Sequence, residues 1–140
     1  MKVFITGSSG QLGSALCRRF AEQKIQYTGV SKEDFDLADI QSVFSAITKN
    51  APTFVIHCAA FTQVGLAEKD PQQTFLVNGI GTRNIVMACK EFDIPLIYIS
   101  TDYVFDGKKK GIYYPEDNTA PLSVYGKSKE QGEREVLTHL

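Results

Sequence analysis

The chain of 140 residues has the length of one domain, and it is long enough to bury a sizeable core. Its net charge of −1 carries no basic excess, which argues against a nucleic-acid or anionic-membrane partner. No apolar run approaches the roughly 18 residues of a membrane span, and the N-terminal apolar run is too short for a signal peptide. The three cysteines are an odd number with no C-x-x-C pair, which favours reduced thiols, a cytoplasmic location and no metal site.

Apolar patterns along the chain predict strands alternating with helices. Short apolar runs predict four strands, at 2–6, 26–30, 53–58 and 95–100. Helical spacing predicts four helices, at about 12–24, 40–47, 75–92 and 124–140. Leu12 is expected in the apolar stripe of the first helix and Ile80 in that of the third, and Ser123 is a candidate N-cap for the last. Loops are predicted at 31–39, 61–70 and 101–121.

This order predicts an α/β fold. Strands that are nearly all apolar indicate a parallel sheet covered on both faces, and right-handed crossovers make it a doubly wound, Rossmann-like sheet within one domain, 1–140. Ligands of such sheets bind outside the carboxyl ends of the strands. The glycine loop after the first strand, Ala59-Ala60 after the third and Ser100-Thr101 after the fourth are therefore expected at one edge.

A glycine-rich segment follows the first predicted strand, with the pattern Gly7-x-x-Gly10-x-x-Gly13. Glycines here allow a tight turn and let backbone N–H groups at the start of the next helix approach a pyrophosphate. The segment has one residue more between its first two glycines than G-x-G-x-x-G. Its place between a strand and a helix still predicts a dinucleotide as the ligand.

The end of the second predicted strand is expected to contact the adenosine ribose. No carboxylate stands directly there, and Ser31 and Lys32 could bind a phosphate, which favours NADP over NAD. Glu33 and Asp34 come closely after and keep NAD as an alternative. For Asp36-Leu37 two interpretations stay open: contact with the adenine, or capping of the next helix by the aspartate.

Hydroxyl and phenol side chains define a candidate catalytic site. Ser100 ends the fourth predicted strand and Thr101 follows it, and Tyr125 precedes Lys129 by four positions in the last predicted helix. An i,i+4 pair lies on one face of a helix, and an ammonium beside a phenol makes the phenol a better proton donor. With hydroxyls nearby to hold a carbonyl oxygen, this set predicts a carbonyl-reducing site.

Motifs spread over the whole chain form a specific combination: Gly7-x-x-Gly10-Gln11-Leu12-Gly13, Asp36-Leu37-x-Asp39, Ala59-Ala60-Phe61-Thr62, Val77-Asn78-x-x-Gly81-Thr82-x-Asn84, Ser100-Thr101-Asp102-Tyr103-Val104-Phe105-Asp106-Gly107, Tyr114-x-Glu116-Asp117, Pro121 and Tyr125-Gly126-x-Ser128-Lys129. In this order they resemble the extended short-chain dehydrogenase/reductases and, within them, the dTDP-4-dehydrorhamnose reductase family.

The resemblance implies NAD(P)H-dependent reduction of the 4-keto group of dTDP-4-dehydro-6-deoxy-L-mannose to dTDP-L-rhamnose, with NADPH as cofactor and NADH as the alternative. Tyr125 would be the general acid, Lys129 would hold the nicotinamide ribose and act on the phenol, and Thr101 would bond the keto oxygen. Asp102 would lie beside the sugar. The implied cofactor-binding residues are Gly7, Gly10, Gln11, Leu12, Gly13, Ser31, Asp36, Leu37, Ala59, Ala60, Phe61, Thr62, Ser100, Tyr125 and Lys129.

Two features depart from the family pattern. Gly65 stands where the family has an aspartate, which removes a secondary contact. Family members also continue well past 140 residues into a lobe that holds the nucleotide-sugar. We therefore expect the chain to correspond to the N-terminal, dinucleotide-binding part, with weak cofactor binding and little catalysis by itself. The oligomeric state is left open, a homodimer included, as is any metal dependence.

Other functions compete with reduction. Sugar-nucleotide dehydratases have a glutamate where Tyr103 stands, which argues against dehydration, and epimerases of the same family are disfavoured with them. The regulatory subunit of methionine adenosyltransferase resembles the reductase without reducing anything, so a non-catalytic dinucleotide-binding subunit is an alternative. An inactive fragment of the same family is another.

Overall fold

The computed structural model describes all 140 residues. Four strands form one parallel sheet in the order β2-β1-β3-β4, with bounds β1 Lys2–Thr6, β2 Gln26–Val30, β3 Phe54–His57 and β4 Leu96–Tyr98. The register pairs Thr6 with both Val30 and His57, and His57 with Tyr98. The carboxyl ends of all four strands therefore lie at one edge, and the predicted parallel α/β fold is confirmed.

Six α-helices connect and cover the strands: α1 Gln11–Glu22, α2 Ile40–Asn50, α3 Val64–Ala67, α4 Pro71–Phe75, α5 Thr82–Glu91 and α6 Val124–His139. A π-helical segment, Leu76–Gly81, joins α4 to α5, and a 3-10 turn, Asp102–Val104, comes after β4.

The core has one part on each face of the sheet. Successive side chains of a strand point to opposite faces, and β1 shows this: Phe4 packs with Val43 and Ile47 of α2 and with Ile85 of α5. Its neighbour Ile5 lies in the second cluster, against which residues of α1 pack. Helices therefore cover both faces, as the doubly wound arrangement requires.

The predicted helix over 75–92 is wrong in its extent and in the facing of Ile80, whereas Ile85, Val86 and Cys89 are buried as predicted. The chain is helical from Pro71, where Asp70 caps α4 by accepting from the Gln73 N–H at 3.0 Å, and the π-helical segment interrupts it. A π turn adds a residue and rotates the next helical turns relative to an uninterrupted α-helix. Ile80, predicted inward, is accordingly 36% exposed.

Other local predictions had mixed outcomes. Ser123 caps α6 by accepting from the Gly126 N–H at 3.0 Å, as predicted. Asp39 caps α2, accepting from the Gln41 N–H at 3.0 Å, so the alternative in which Asp36 caps that helix is wrong. The predicted loop over 61–70 contains α3, and Leu12, predicted in the apolar stripe of α1, is 42% exposed.

Ile47→Ala tests the α2 side of the core. Ile47 is 1% exposed, so we expect the substitution to leave a cavity and lower the free energy of unfolding by about 2–5 kcal/mol. Ile40→Ala, on the same helix at a residue 40% exposed, is the matched control and should cost about 1 kcal/mol or less. Urea unfolding of both variants measures this, and equal losses would contradict the described packing of α2.

Candidate active site

The glycine loop lies against the segment after β3. Gly7 has a φ of 68°, which favours glycine, and a Cβ there would stand 2.7 Å from the Ala59 nitrogen. A Cβ on Gly13, in the first turn of α1, would overlap the Gly7 carbonyl. Gly10 precedes α1 and makes no side-chain cap, so the N–H groups of the first turn have no such partner. These glycines leave a bare backbone cradle at a helix N-terminus.

In the segment after β2, Ser31 donates hydrogen bonds to the carboxylates that follow it in the chain. The Ser31 hydroxyl lies 2.7 Å from Glu33 Oε2 and 2.9 Å from Asp34 Oδ2, and the Ser31 N–H donates to Asp34 at 2.7 Å. These hydrogen bonds lower the pKa of both carboxyl groups. Two anions at the predicted ribose-phosphate site disfavour a 2′-phosphate at Ser31 in this arrangement.

Leu37 packs next to the π-helical segment, and Asp36 precedes it in the same loop. A Cβ on Gly81 would stand 2.6 Å from Leu37 Cδ2, so the leucine packs directly on that glycine. Asn84 on α5 donates to the Leu37 carbonyl at 3.0 Å, and Asp36 accepts from the Ala38 N–H at 2.9 Å. The loop that carries the predicted adenine-binding pair is thereby anchored to α5 at Leu37.

Asn78, in the π-helical segment, fixes the loop after β3 and was not among the predicted site residues. Its amide accepts from the Phe61 N–H at 2.7 Å and donates to the Phe61 carbonyl at 3.0 Å. It also donates to the Ser128 hydroxyl on α6 at 2.9 Å. Phe61 is thus tied through Asn78 to α6, and Ala59, Ala60 and Thr62 lie in the same loop. The signal in the sequence was a polar residue inside an apolar helical pattern.

The segment after β4 carries the predicted hydroxyl pair. The Ser100 hydroxyl is buried and has no hydrogen-bond partner, which is rare for a buried polar group. Thr101 caps the 3-10 turn by accepting from the Tyr103 N–H at 3.2 Å, and its hydroxyl donates to Asp102 Oδ1 at 3.2 Å. Asp102 itself is exposed.

The start of α6 lies directly on this segment. The rings of Tyr125 and Tyr103 meet edge to face, with centroids 5.6 Å apart. A Cβ on Gly126 would overlap the Tyr103 carbonyl, so glycine permits this approach. One turn later, Lys129 Nζ donates to the Ile99 carbonyl at 2.6 Å. The structure therefore brings the predicted tyrosine and lysine to the residues on either side of Ser100-Thr101.

Lys129 is a buried cation, 3% exposed. Burial lowers its pKa to about 8, while Glu133 and Cys58 act in the opposite direction. Its Nζ lies 4.0 Å from the centroid of the Tyr98 ring. Tyr98 was not predicted as a site residue, although its phenol in an otherwise apolar strand was a signal.

His57 is uncharged and bridges three elements. Its Nδ1 lies 2.7 Å from the Thr6 hydroxyl on β1 and its Nε2 3.1 Å from the Thr82 hydroxyl on α5. The Ala59 N–H also donates to the Thr6 hydroxyl, at 3.1 Å. Burial, and secondarily the charge of Lys129, lowers the pKa of His57 to about 3. It is a buried, hydrogen-bonded core histidine.

No group of three or more His, Cys, Asp or Glu side chains is arranged to hold a metal ion. None of the helices combines the length and apolar character needed to cross a membrane. The three cysteines are free thiols.

The sheet order, the glycine cradle at its carboxyl edge and the adjoining Tyr125–Lys129 helix define a Rossmann-like protein of the short-chain dehydrogenase/reductase class. The family model described as the RmlD substrate binding domain matches residues 1–140. The chain belongs to that family.

Individual relatives agree with this membership. A dTDP-4-dehydrorhamnose reductase of Sinorhizobium fredii is 40% identical over 138 residues, which are 99% of this chain and 46% of the relative. A dTDP-4-keto-6-deoxy-D-glucose reductase of Streptomyces niveus is 35% identical, over 95% of this chain and 46% of the relative. The crystal structure of a Bacillus anthracis dTDP-4-dehydrorhamnose reductase in complex with NADP superimposes with a TM-score of 0.94 at 37% identity, over 99% of this chain and 49% of that one. The chain spans about half the length of these relatives.

His57 makes stability depend on pH. Its folded-state pKa of about 3 lies below the unfolded value of about 6.5, so the unfolded chain binds the proton first and stability is lost as pH falls below about 6.5. Between pH 6.5 and 5, His57 should remove about 1.6 kcal/mol from the free energy of unfolding. Urea unfolding of wild type and His57→Asn at both pH values measures this. An equal pH dependence in the two proteins would contradict a neutral, buried His57.

Proposed function

We propose that these residues form the cofactor-binding and proton-donating part of a cytoplasmic reductase. Its reaction is reduction of the 4-keto group of dTDP-4-dehydro-6-deoxy-L-mannose to the hydroxyl of dTDP-L-rhamnose. The observation that carries the proposal is the contact of α6 with the end of β4, where Lys129 bonds the Ile99 carbonyl at 2.6 Å and Tyr125 packs on Tyr103. The names of the two reductase relatives support a 4-keto-6-deoxy nucleotide-sugar as substrate.

A nicotinamide dinucleotide fits the features of this edge. The pyrophosphate would lie on the backbone of Gly10, Gln11 and Leu12, at the helix N-terminus that the close Gly7–Gly13 contact forms. The unpartnered hydroxyl of Ser100 would gain a partner at the nicotinamide end. The remaining contacts are proposed for Gly7, Gly13, Ser31, Asp36, Leu37, Ala59, Ala60, Phe61, Thr62, Tyr125 and Lys129.

We propose NADPH as the cofactor, with NADH as a second. The Bacillus anthracis structure contains NADP, which supports the phosphorylated form. The carboxylates of Glu33 and Asp34 at the Ser31 hydroxyl favour a free ribose hydroxyl instead. For NADPH to bind, these carboxylates must release Ser31 or the 2′-phosphate must contact Lys32.

The side chains supply the proton and the orientation. When bound, the reduced nicotinamide supplies the hydride that reaches carbon 4 of the sugar. The Thr101 hydroxyl holds the keto oxygen, and Tyr125 donates its phenolic proton to that oxygen as negative charge develops there, leaving an alcohol. Lys129, one helical turn away, carries its positive charge on the same helix face as Tyr125 and would bond the ribose hydroxyls. Asp102, exposed beside Thr101, contacts the sugar.

Cofactor binding and sugar binding are assigned here to different regions of the protein. We propose that residues 1–140 are the dinucleotide-binding domain, with the Tyr125–Lys129 helix at its carboxyl end. The sugar-holding surface would come from a region corresponding to the other half of the relatives, whose length is about twice that of this chain. We therefore expect the 140 residues alone to bind cofactor weakly and to turn over little substrate.

Tyr125→Phe tests the general acid. In the full-length protein, loss of the phenolic proton should lower kcat by about 10²–10⁴-fold while cofactor affinity is kept. NADPH oxidation with the dTDP-4-keto sugar, followed optically, gives kcat, and calorimetric titration gives the affinity. Tyr27→Phe is the matched control, because Tyr27 lies on β2 and packs on Phe20. Equal rates for Tyr125→Phe and wild type would contradict the assignment, and cofactor binding without reduction by wild type would indicate a non-catalytic subunit.

Gly13→Ala tests the glycine cradle. The added methyl group would overlap the Gly7 carbonyl and displace the loop, so we expect the dissociation constant for NADPH to rise at least about tenfold. Gly65→Ala is the matched control, because a Cβ on Gly65 meets no atom within 4 Å. Calorimetric titration of both variants, with circular dichroism to establish folding, measures the effect. Unchanged affinity in a folded Gly13→Ala protein would place the pyrophosphate elsewhere.

A further inference from the structure

Tyr98, the last residue of β4, contacts Lys129 through both its ring and its hydroxyl. The ring centroid lies 4.0 Å from Lys129 Nζ, within the range of a cation–π interaction. The Tyr98 hydroxyl donates to the Lys129 backbone carbonyl at 3.2 Å. One side chain therefore touches the head group of the lysine and the helix that carries it.

Gly132 and His57 border the Tyr98 ring. A Cβ on Gly132, one turn beyond Lys129 on α6, would stand 2.8 Å from Tyr98 Cζ, so a larger residue there would push the ring away. The His57 ring stacks on Tyr98 with centroids 5.9 Å apart and planes at 27°. His57 is neutral, so the Tyr98 ring has an uncharged neighbour on the His57 side. Its charged neighbour is the Lys129 ammonium.

The Lys129 ammonium has few other partners. Among hydrogen bonds it makes one, to the Ile99 carbonyl, although an ammonium carries three donors. The titratable groups that act on it from the packed elements are Glu133 on its own helix and Cys58 after β3, with His57 on β3 coupled to it as well. None of these forms a salt bridge with Lys129. The electron-rich face of Tyr98 is thus a principal contact of a buried charge.

We propose that Tyr98 is a positioning residue that holds the Lys129 ammonium in place and in its charged form. Its importance for catalysis rests on the proposed function, in which Lys129 acts on Tyr125 and the cofactor. The physical effect on Lys129 does not rest on it, because the contact exists between two side chains of this chain. Loss of the ring removes attraction from the charged form only, so the pKa of Lys129 must fall.

The test is a titration of Lys129 by NMR, observed at its 13C-labelled ε-carbon, in wild type, Tyr98→Leu and Tyr98→Phe without ligand. Burial already lowers the pKa to about 8, and we expect Tyr98→Leu to lower it by about one more. The charged fraction at pH 7 would fall from about nine-tenths to about one-half. Tyr98→Phe keeps the ring and should stay close to wild type. Tyr27→Leu, at another half-buried strand tyrosine, is the matched control and should leave the titration unchanged.

A second series covers the case in which Tyr98→Leu does not fold. Phenylalanine, difluorophenylalanine and pentafluorophenylalanine at position 98 keep the shape of the ring while fluorine withdraws electrons from its face. We expect the pKa of Lys129 to fall stepwise along the series. The same pKa in all three proteins, or in folded Tyr98→Leu and wild type, would overturn the proposal.

These outcomes are separate from the proposed function, since no cofactor or substrate is present in the titration. If wild type reduces no keto sugar but the titration shifts, the reductase assignment fails and the role of Tyr98 toward Lys129 stands. If wild type is an active reductase and the titration does not shift, the role of Tyr98 fails alone. In an active protein whose activity needs the Lys129 ammonium, Tyr98→Leu should also move the alkaline limb that reports loss of that charge down by about one pH unit, which a purely structural loss would not do.

Discussion

A line of buried polar contacts through the middle of the domain links the parts of the candidate site. It begins at the Ala59 N–H, which donates to Thr6, and continues through His57 to the ring of Tyr98 and on to Lys129. These contacts are compatible with a charged Lys129 because the His57 imidazole is neutral. A protonated His57 would repel the Lys129 ammonium across a poorly screened interior, where like charges interact strongly. Burial lowers the pKa of His57, and the neutral imidazole that results is compatible with a charged Lys129 buried nearby.

The second constraint is the close approach of backbone segments to one another, which requires glycine at the points of contact. The glycine loop can lie on the segment after β3 because Gly7 has no Cβ, and α6 can lie on the turn after β4 because Gly126 has none. Gly132 leaves room for Tyr98 in the same way. The proposed cofactor edge is therefore formed by backbone surfaces in contact, with Lys129 and Asn78 as the polar ties between α6 and the loops.

Much of the fold and part of the site could be predicted from local patterns. The strands were recognisable as short apolar runs, and β1 is confirmed at its predicted bounds. The cap at Ser123 and the glycine loop depend on neighbouring residues only, so their chemistry is visible in the chain order. The arrangement of Tyr125 and Lys129 along one helix is local in the same sense. The contacts of their side chains in the fold are not local, and their catalytic roles stay predictions.

By itself, the sequence determined the alternation of strands and helices, the backbone cradle at Gly7 and the presence of a tyrosine–lysine pair, because periodicity, turn chemistry and i,i+4 spacing are properties of neighbouring residues. Only the tertiary structure decided that a π-helical segment turns Asn78 toward Phe61 and Ser128, and that Tyr98 receives the Lys129 ammonium. These contacts join residues 17 to 50 positions apart, and no local pattern encodes them. Their partners are selected by packing, which places these polar groups in an interior where an unpaired polar group is rare.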